Sequence, residues 1–100
     1  MDRYSVEMLF WAKEDLLETS KYYENQAFGL GDKFYIEIRS VIDSLEINPF
    51  YISDINGLRQ IPVNKFPYKV CFTVDEDNFI VYVKGIKNDH LLPFSVKPNQ

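Results

Sequence analysis

Polar and apolar positions change period twice along these 100 residues. From Arg3 to Leu9 they alternate, with Tyr4, Val6 and Met8 on one side and Arg3, Ser5 and Glu7 on the other. A period of two predicts a half-buried strand. From Ala12 the period lengthens to that of a helix: Leu16, Thr19 and Tyr23 recur with Leu17 beside them, and Lys13, Glu14, Glu18 and Lys21 take the far side. Gly29-Leu30-Gly31 predicts the end of that helix and a turn, because glycine enters the left-handed backbone region at little cost. Leu30, Phe34, Ile38, Val41, Ile42 and Leu45 then form one apolar stripe of a second helix, which Asn48-Pro49 stops. So short a link folds the two helices into an antiparallel hairpin.

Beyond a loop over residues 50–56 the period returns to two. Three strands are predicted, over about 57–63, 68–75 and 78–86. Tyr68, Val70, Phe72 and Val74 alternate with Lys69, Cys71 and Thr73; Phe79, Val81 and Val83 alternate with Ile80, Tyr82 and Lys84. Asp75-Glu76-Asp77-Asn78 is the turn that pairs the last two strands antiparallel. The last strand is apolar on both faces, which predicts a central place. The order is β-α-α-β-β-β, an α+β fold in which a helical hairpin packs on one face of a small, twisted, mainly antiparallel sheet. The other face stays partly open. A chain of this length makes one domain, expected over 1–90. The segment 91–100, interrupted by Pro93 and Pro98, is expected to be a flexible or docking tail.

Charge is spread unevenly, and that narrows the partners. Residues 1–50 hold five basic and ten acidic side chains; residues 51–100 hold six basic and five acidic. The first half reads as a solvated acidic face, so an anion-binding surface belongs in the second half. An acidic chain with a net charge of −4 is poorly suited to gripping nucleic acid through bulk charge. Cys71 is the only cysteine, so neither an intrachain disulfide nor a thiolate zinc site is expected. No leader pattern and no apolar run near membrane-spanning length is present in the sequence, which predicts a cytoplasmic protein without membrane contact.

Several segments resemble the RelE/ParE superfamily of toxins from type II toxin–antitoxin systems, over about Tyr4 to His90. They are Ala12-Lys13-Glu14-Asp15-Leu16 with Tyr22-Tyr23, Gly29-Leu30-Gly31-Asp32-Lys33-Phe34, Leu45-Glu46-Ile47-Asn48-Pro49, Gly57-Leu58-Arg59, and Phe66-Pro67-Tyr68-Lys69-Val70. In this order and spacing they look more like ParE than like RelE. The resemblance implies a toxin of a plasmid-stabilisation type of system, neutralised by a cognate antitoxin whose C-terminal segment wraps over the toxin's groove. ParE-like members are associated with inhibition of DNA gyrase, and RelE-like members cleave messenger RNA on the ribosome. A homodimer or a toxin–antitoxin hetero-oligomer would fit either. RNA-cleaving members carry basic or histidine side chains near the end of the last strand, where this chain has Ile86-Lys87-Asn88-Asp89. An aspartate there would repel a scissile phosphate rather than hold it. The reading thus leans toward a binding toxin over a ribosome-dependent ribonuclease, with a non-toxic binding module as a third alternative.

The candidate residues carry two readings each. Arg59 could clamp a carboxylate or phosphate from the open face, or pair internally with an acid such as Asp54. Lys69 could hold a phosphate as a point charge, or be a solvated strand lysine. His90, the only histidine, could serve as a general base in a ribonuclease that also used Arg59 and Lys69, or lie idle at the surface. Lys65, Lys84 and Lys87 could extend a modest basic patch. Tyr22, Phe50, Tyr51 and Tyr68 are candidate partner-binding aromatics, whereas Tyr23 is expected in the core. Cys71 is expected to be a packed thiol. Glu14-Asp15 is expected to open the first helix at the positive end of its dipole. No metal or cofactor is expected: the acids lack calcium-loop spacing, and Gly29-x-Gly31 lacks the remainder of a dinucleotide motif.

Overall fold

The computed structural model describes residues 3–89. It contains β1 (Ser5–Met8), α1 (Phe10–Gln26), α2 (Leu30–Ile47), β2 (Arg59–Pro62), β3 (Tyr68–Asp75) and β4 (Ile80–Asn88). The four strands form one sheet in the order β1-β4-β3-β2. β1 runs parallel to β4, and the other two pairings are antiparallel. The expected α+β order is therefore the observed one, and β4 occupies the interior place that its doubly apolar sequence predicts.

The α2 stripe makes the core. Phe34, Ile38, Val41, Ile42 and Leu45 are buried against Val70, Phe72, Val81, Val83 and Ile86 of the sheet. Tyr23 of α1 joins them through its ring contacts with Phe34, Phe66 and Tyr68, with centroids 4.9–6.1 Å apart. Burial, then the neighbouring Tyr68, raises the Tyr23 pKa above the ordinary phenol range. The α1–α2 link is tight because α1 helps to close it. Gly29 takes φ +83°, and the Glu24 carboxylate accepts the Gly29 and Gly31 N–H groups at 2.9 and 3.0 Å. An acceptor from the preceding helix thereby satisfies N–H groups that the start of α2 leaves unpaired. At Gly31 a Cβ would stand 2.5 Å from the Ser20 carbonyl oxygen, so only glycine lets the helices approach this closely.

Two expected boundaries move. α1 begins at Phe10 rather than Ala12, so its first turn holds no acid and Asp15 falls in the second turn. β4 begins at Ile80 and runs to Asn88, because Phe79 belongs to the turn with a left-handed φ of +56°. β4 also carries a bulge. Phe72 faces Val83 and Cys71 faces Gly85, which leaves Lys84 as the extra residue. A bulge breaks strict alternation, which is why Val83 and Ile86, three positions apart, both face the core.

Candidate functional site

Directly opposed residues of a sheet share a face, so the register assigns each candidate cation to a side. Lys69 stands opposite Lys87, Cys71 opposite Gly85 and Gln60, and Thr73 opposite Tyr82. This is the face turned away from the Phe72–Val83 core row. The two ammonium groups would repel across the strands, and each has a carboxylate of its own. Lys69 Nζ lies 3.4 Å from Asp89 Oδ1 and Lys87 Nζ 3.8 Å from Asp15 Oδ2. Asp15 has a second role, since its Oδ2 accepts the Ile86 N–H at 2.9 Å. β1 ends at Met8, opposite Val83, and the side chain from α1 completes the bonding of β4 beyond that end. Gly85 leaves the room: a Cβ there would sit 3.0 Å from Lys87 Cε and 3.3 Å from Asp15 Oδ2. The four charges cancel, so this face offers cationic side chains without a net positive field.

Cys71 is the next residue of β3 on the same face as the Lys69–Lys87 pair and is 6% exposed. Burial raises its thiol pKa, although Lys69 and Lys87 pull it the other way. It is a packed thiol, and a protonated buried thiol is a poor nucleophile.

Arg59 is elsewhere. Its Cα partner is the core residue Phe72, which puts it on the helix-covered side at the edge of the sheet. Its guanidinium donates to the Tyr51 carbonyl and lies 5.6 Å from the Phe50 ring centroid. The internal pairing is thus with a backbone carbonyl and a ring. Asp54 is occupied in the loop itself, where its Oδ1 accepts the Asn56 and Leu58 N–H groups. An open-face position for Arg59 is therefore corrected by the register. Arg59 anchors the loop and does not share an anion with Lys69.

The remaining candidates are dispersed. Tyr22 is exposed on α1 with its ring against Tyr23. Tyr68 packs on Tyr23 and Phe34 beneath the helices. Phe50 and Tyr51 line the Arg59 loop, Tyr51 standing edge-on to Phe72. Lys84 is exposed at the bulge, and Lys65 lies 3.7 Å from Glu37. His90 falls outside the described residues. Glu14-Asp15 does not open its helix, because that helix starts earlier than the spacing suggests.

One concavity among the described residues was not foreseen. It is a groove of about 590 Å³ on the outer side of the hairpin, where Leu16, Leu17, Ser20 and Lys21 of α1 meet Gly31 and Tyr35 of α2. Its floor is apolar, and Lys13, Glu14, Glu24 and Asp32 stand at its margins. A sequence signal did exist. Leu17 stands beside the Leu16–Thr19–Tyr23 stripe, next to the charged side of α1, and it is exposed where Leu16 packs against the core.

No family model matches the chain, and the search of curated proteins finds no match. Solved structures do match. A chain of the chromosomal ParDE TA system from P. aeruginosa superposes with a TM-score of 0.72 at 17% identity, over 86% of this chain and 96% of that one. A chain of the archaeal RelE-RelB complex from Pyrococcus horikoshii gives 0.60 at 14% identity, over 90% and 99%. One from the toxin-antitoxin complex RelBE2 of Mycobacterium tuberculosis gives 0.51 at 16%, over 88% and 93%. Each is matched over nearly its whole length, so the two helices and four strands constitute the fold of these ParDE and RelBE chains.

Proposed function

We propose that this chain is the toxin of a type II toxin–antitoxin system, silenced by a cognate antitoxin and acting by binding a macromolecular target. The observation that carries this reading is the near-complete superposition on a ParDE chain, at a TM-score of 0.72. The apolar groove between the helices supports it, because a floor of Leu16, Leu17 and Tyr35 suits an apolar segment of a partner protein. The antitoxin's C-terminal segment is the proposed occupant. Binding is favoured over RNA cleavage by the charge arrangement. Lys69 and Lys87 are matched by Asp89 and Asp15, and Arg59 is turned toward its own loop. A ribonuclease would need those cations to converge on one phosphate. DNA gyrase is the first target to examine, the ribosome the second, in a cytoplasmic, plasmid-stabilising role.

Induced expression of the chain alone should arrest bacterial growth, and co-expression of the adjacent reading frame's product should relieve the arrest. Purified protein freed from that partner would then be assayed for gyrase supercoiling and for messenger cleavage during translation. Normal growth in the presence of folded protein would reject the toxin reading. Ribosome-dependent cleavage that is lost in Lys69→Ala would replace binding with catalysis.

A further inference from the structure

The turn that leads into β2 carries a reactive pair at its tip, Asn56-Gly57. The carboxamide carbon of an asparagine lies within reach of the next backbone nitrogen, which can close a ring on it. A side chain on the following residue crowds that approach. Glycine removes the crowding and widens the accessible backbone. Among the described asparagines, Asn56 alone precedes a glycine; Gln26, Pro49, Lys65, Phe79 and Asp89 follow the others.

The surroundings leave the pair open. Asn56 and Gly57 are both exposed. A Cβ built on Gly57 would meet nothing within 4 Å, so the space beside its backbone is empty. The Asn56 carboxamide has no hydrogen bond among the described residues and can turn. Other asparagines are held: Asn48 Oδ1 accepts the Phe50 N–H, and Asn78 Nδ2 donates to Asp75 Oδ2 at 2.9 Å.

Only the backbone restrains the reaction. The Gly57 N–H donates to the Asp54 carbonyl at 3.0 Å. Asp54 Oδ1 accepts the Asn56 and Leu58 N–H groups at 2.8 and 3.0 Å, the side-chain cap of an Asx turn. These bonds lie at the surface, and exposed backbone bonds open locally at much lower cost than the core. Each opening releases the Gly57 nitrogen.

We propose that Asn56 is a site of spontaneous deamidation, which loosens the turn ahead of β2. Solvent hydroxide removes the Gly57 amide proton, and the nitrogen bonds to Asn56 Cγ. The Cγ–Nδ2 bond then breaks, and the nitrogen leaves as ammonia after taking a proton from water. Water opens the resulting cyclic imide at either carbonyl, giving aspartate or isoaspartate; nothing is oxidised or reduced. Both products set a new carboxylate beside Asp54, and like charges this close repel. Isoaspartate also routes the main chain through the former side chain, adding a methylene. The lengthened turn loses the fit of Asp54 Oδ1 to the Asn56 and Leu58 N–H groups, beside the Ser53–Arg59 bridge. The conversion needs only this chain and water, so it is independent of the toxin reading.

The test holds the full chain folded in mildly alkaline buffer and samples it over days. Isoaspartyl methyltransferase labelling and peptide mapping should show isoaspartate accumulating at position 56 ahead of every other asparagine, faster as pH rises. Asn56→Gln, whose longer side chain closes the ring far less readily, should lose that signal while keeping the thermal midpoint. Hydrogen exchange at Leu58 should be faster in the aged protein than in fresh Asn56→Asp, which carries the charge without the added methylene. Conversion in the urea-unfolded chain but not in the folded one would overturn the proposal, as would conversion spread evenly over the asparagines. Unchanged exchange at Leu58 in fully converted protein would overturn the loosening of the turn.

Discussion

Asp15 illustrates how one carboxylate can link two elements. It accepts the Ile86 N–H of β4 and faces the Lys87 ammonium. Asp15→Ala leaves a partly buried N–H without its acceptor, an expected cost of about 1–3 kcal/mol in urea unfolding. Asp15→Asn keeps an acceptor oxygen and should recover part of it. Faster hydrogen exchange at Ile86 in Asp15→Ala would separate this role from a general loss of surface charge. Cys71 is a residue-scale case with a pH signature. Burial raises its pKa, so above the ordinary thiol range the unfolded chain ionises while the folded chain does not. Stability is then fully present below the unfolded thiol pKa and lost as pH rises through the folded value. Cys71→Ala should flatten that alkaline decline, leaving the contribution of Tyr23, whose raised pKa acts in the same direction. Thiol reagents should label the native protein slowly and the urea-unfolded protein at once.

At the scale of elements, the helical hairpin depends on its closest approach. Gly31→Ala would place a Cβ 2.5 Å from the Ser20 carbonyl and 3.1 Å from Glu24 Cβ. The first neighbour is backbone and cannot swing aside, so the helices must separate. The expected loss is about 1–3 kcal/mol, read from chemical denaturation. The same shift should disturb the Glu24 cap on Gly29 and Gly31, and the groove that Gly31 helps to line. At the other end of the sheet, the Asp75 carboxylate accepts from the Asn78 side chain and backbone, which lowers its pKa. That stabilisation is present above the unfolded carboxylate pKa and fades as pH falls through the lowered value. Asp75→Asn should remove this part of the acid dependence, visible as a flatter midpoint between neutral and acid pH.

Across the whole molecule, the groove lies toward the start of α2, so the proposed antitoxin contact is open to test by mutation there. Leu17→Asp/Tyr35→Asp introduces charge at two exposed positions of the groove. Burying an uncompensated carboxylate against an apolar partner is costly, so co-purification with the antitoxin should fall sharply. Growth arrest should persist even when the antitoxin is co-expressed. Equal rescue of wild type and variant would place the antitoxin elsewhere on the chain. No described helix is long and apolar enough to cross a membrane.

The linear pattern was sufficient for the elements, because helix and strand periods are written in neighbouring residues. The α2 stripe from Phe34 to Leu45, the Asn48-Pro49 stop and the interior place of β4 were all legible on that basis. Tertiary structure decided which side chains meet. The β4 bulge at Lys84 shifts alternation by one residue, and the β2 register turns Arg59 toward Phe72 instead of the open face. The partnership of Asp15 with Ile86 spans 71 positions. Local spacing holds no record of such a contact, since it arises only when α1 crosses the end of β1. The period of the chain fixed its elements; their packing determined where charge is cancelled and where apolar surface remains uncovered.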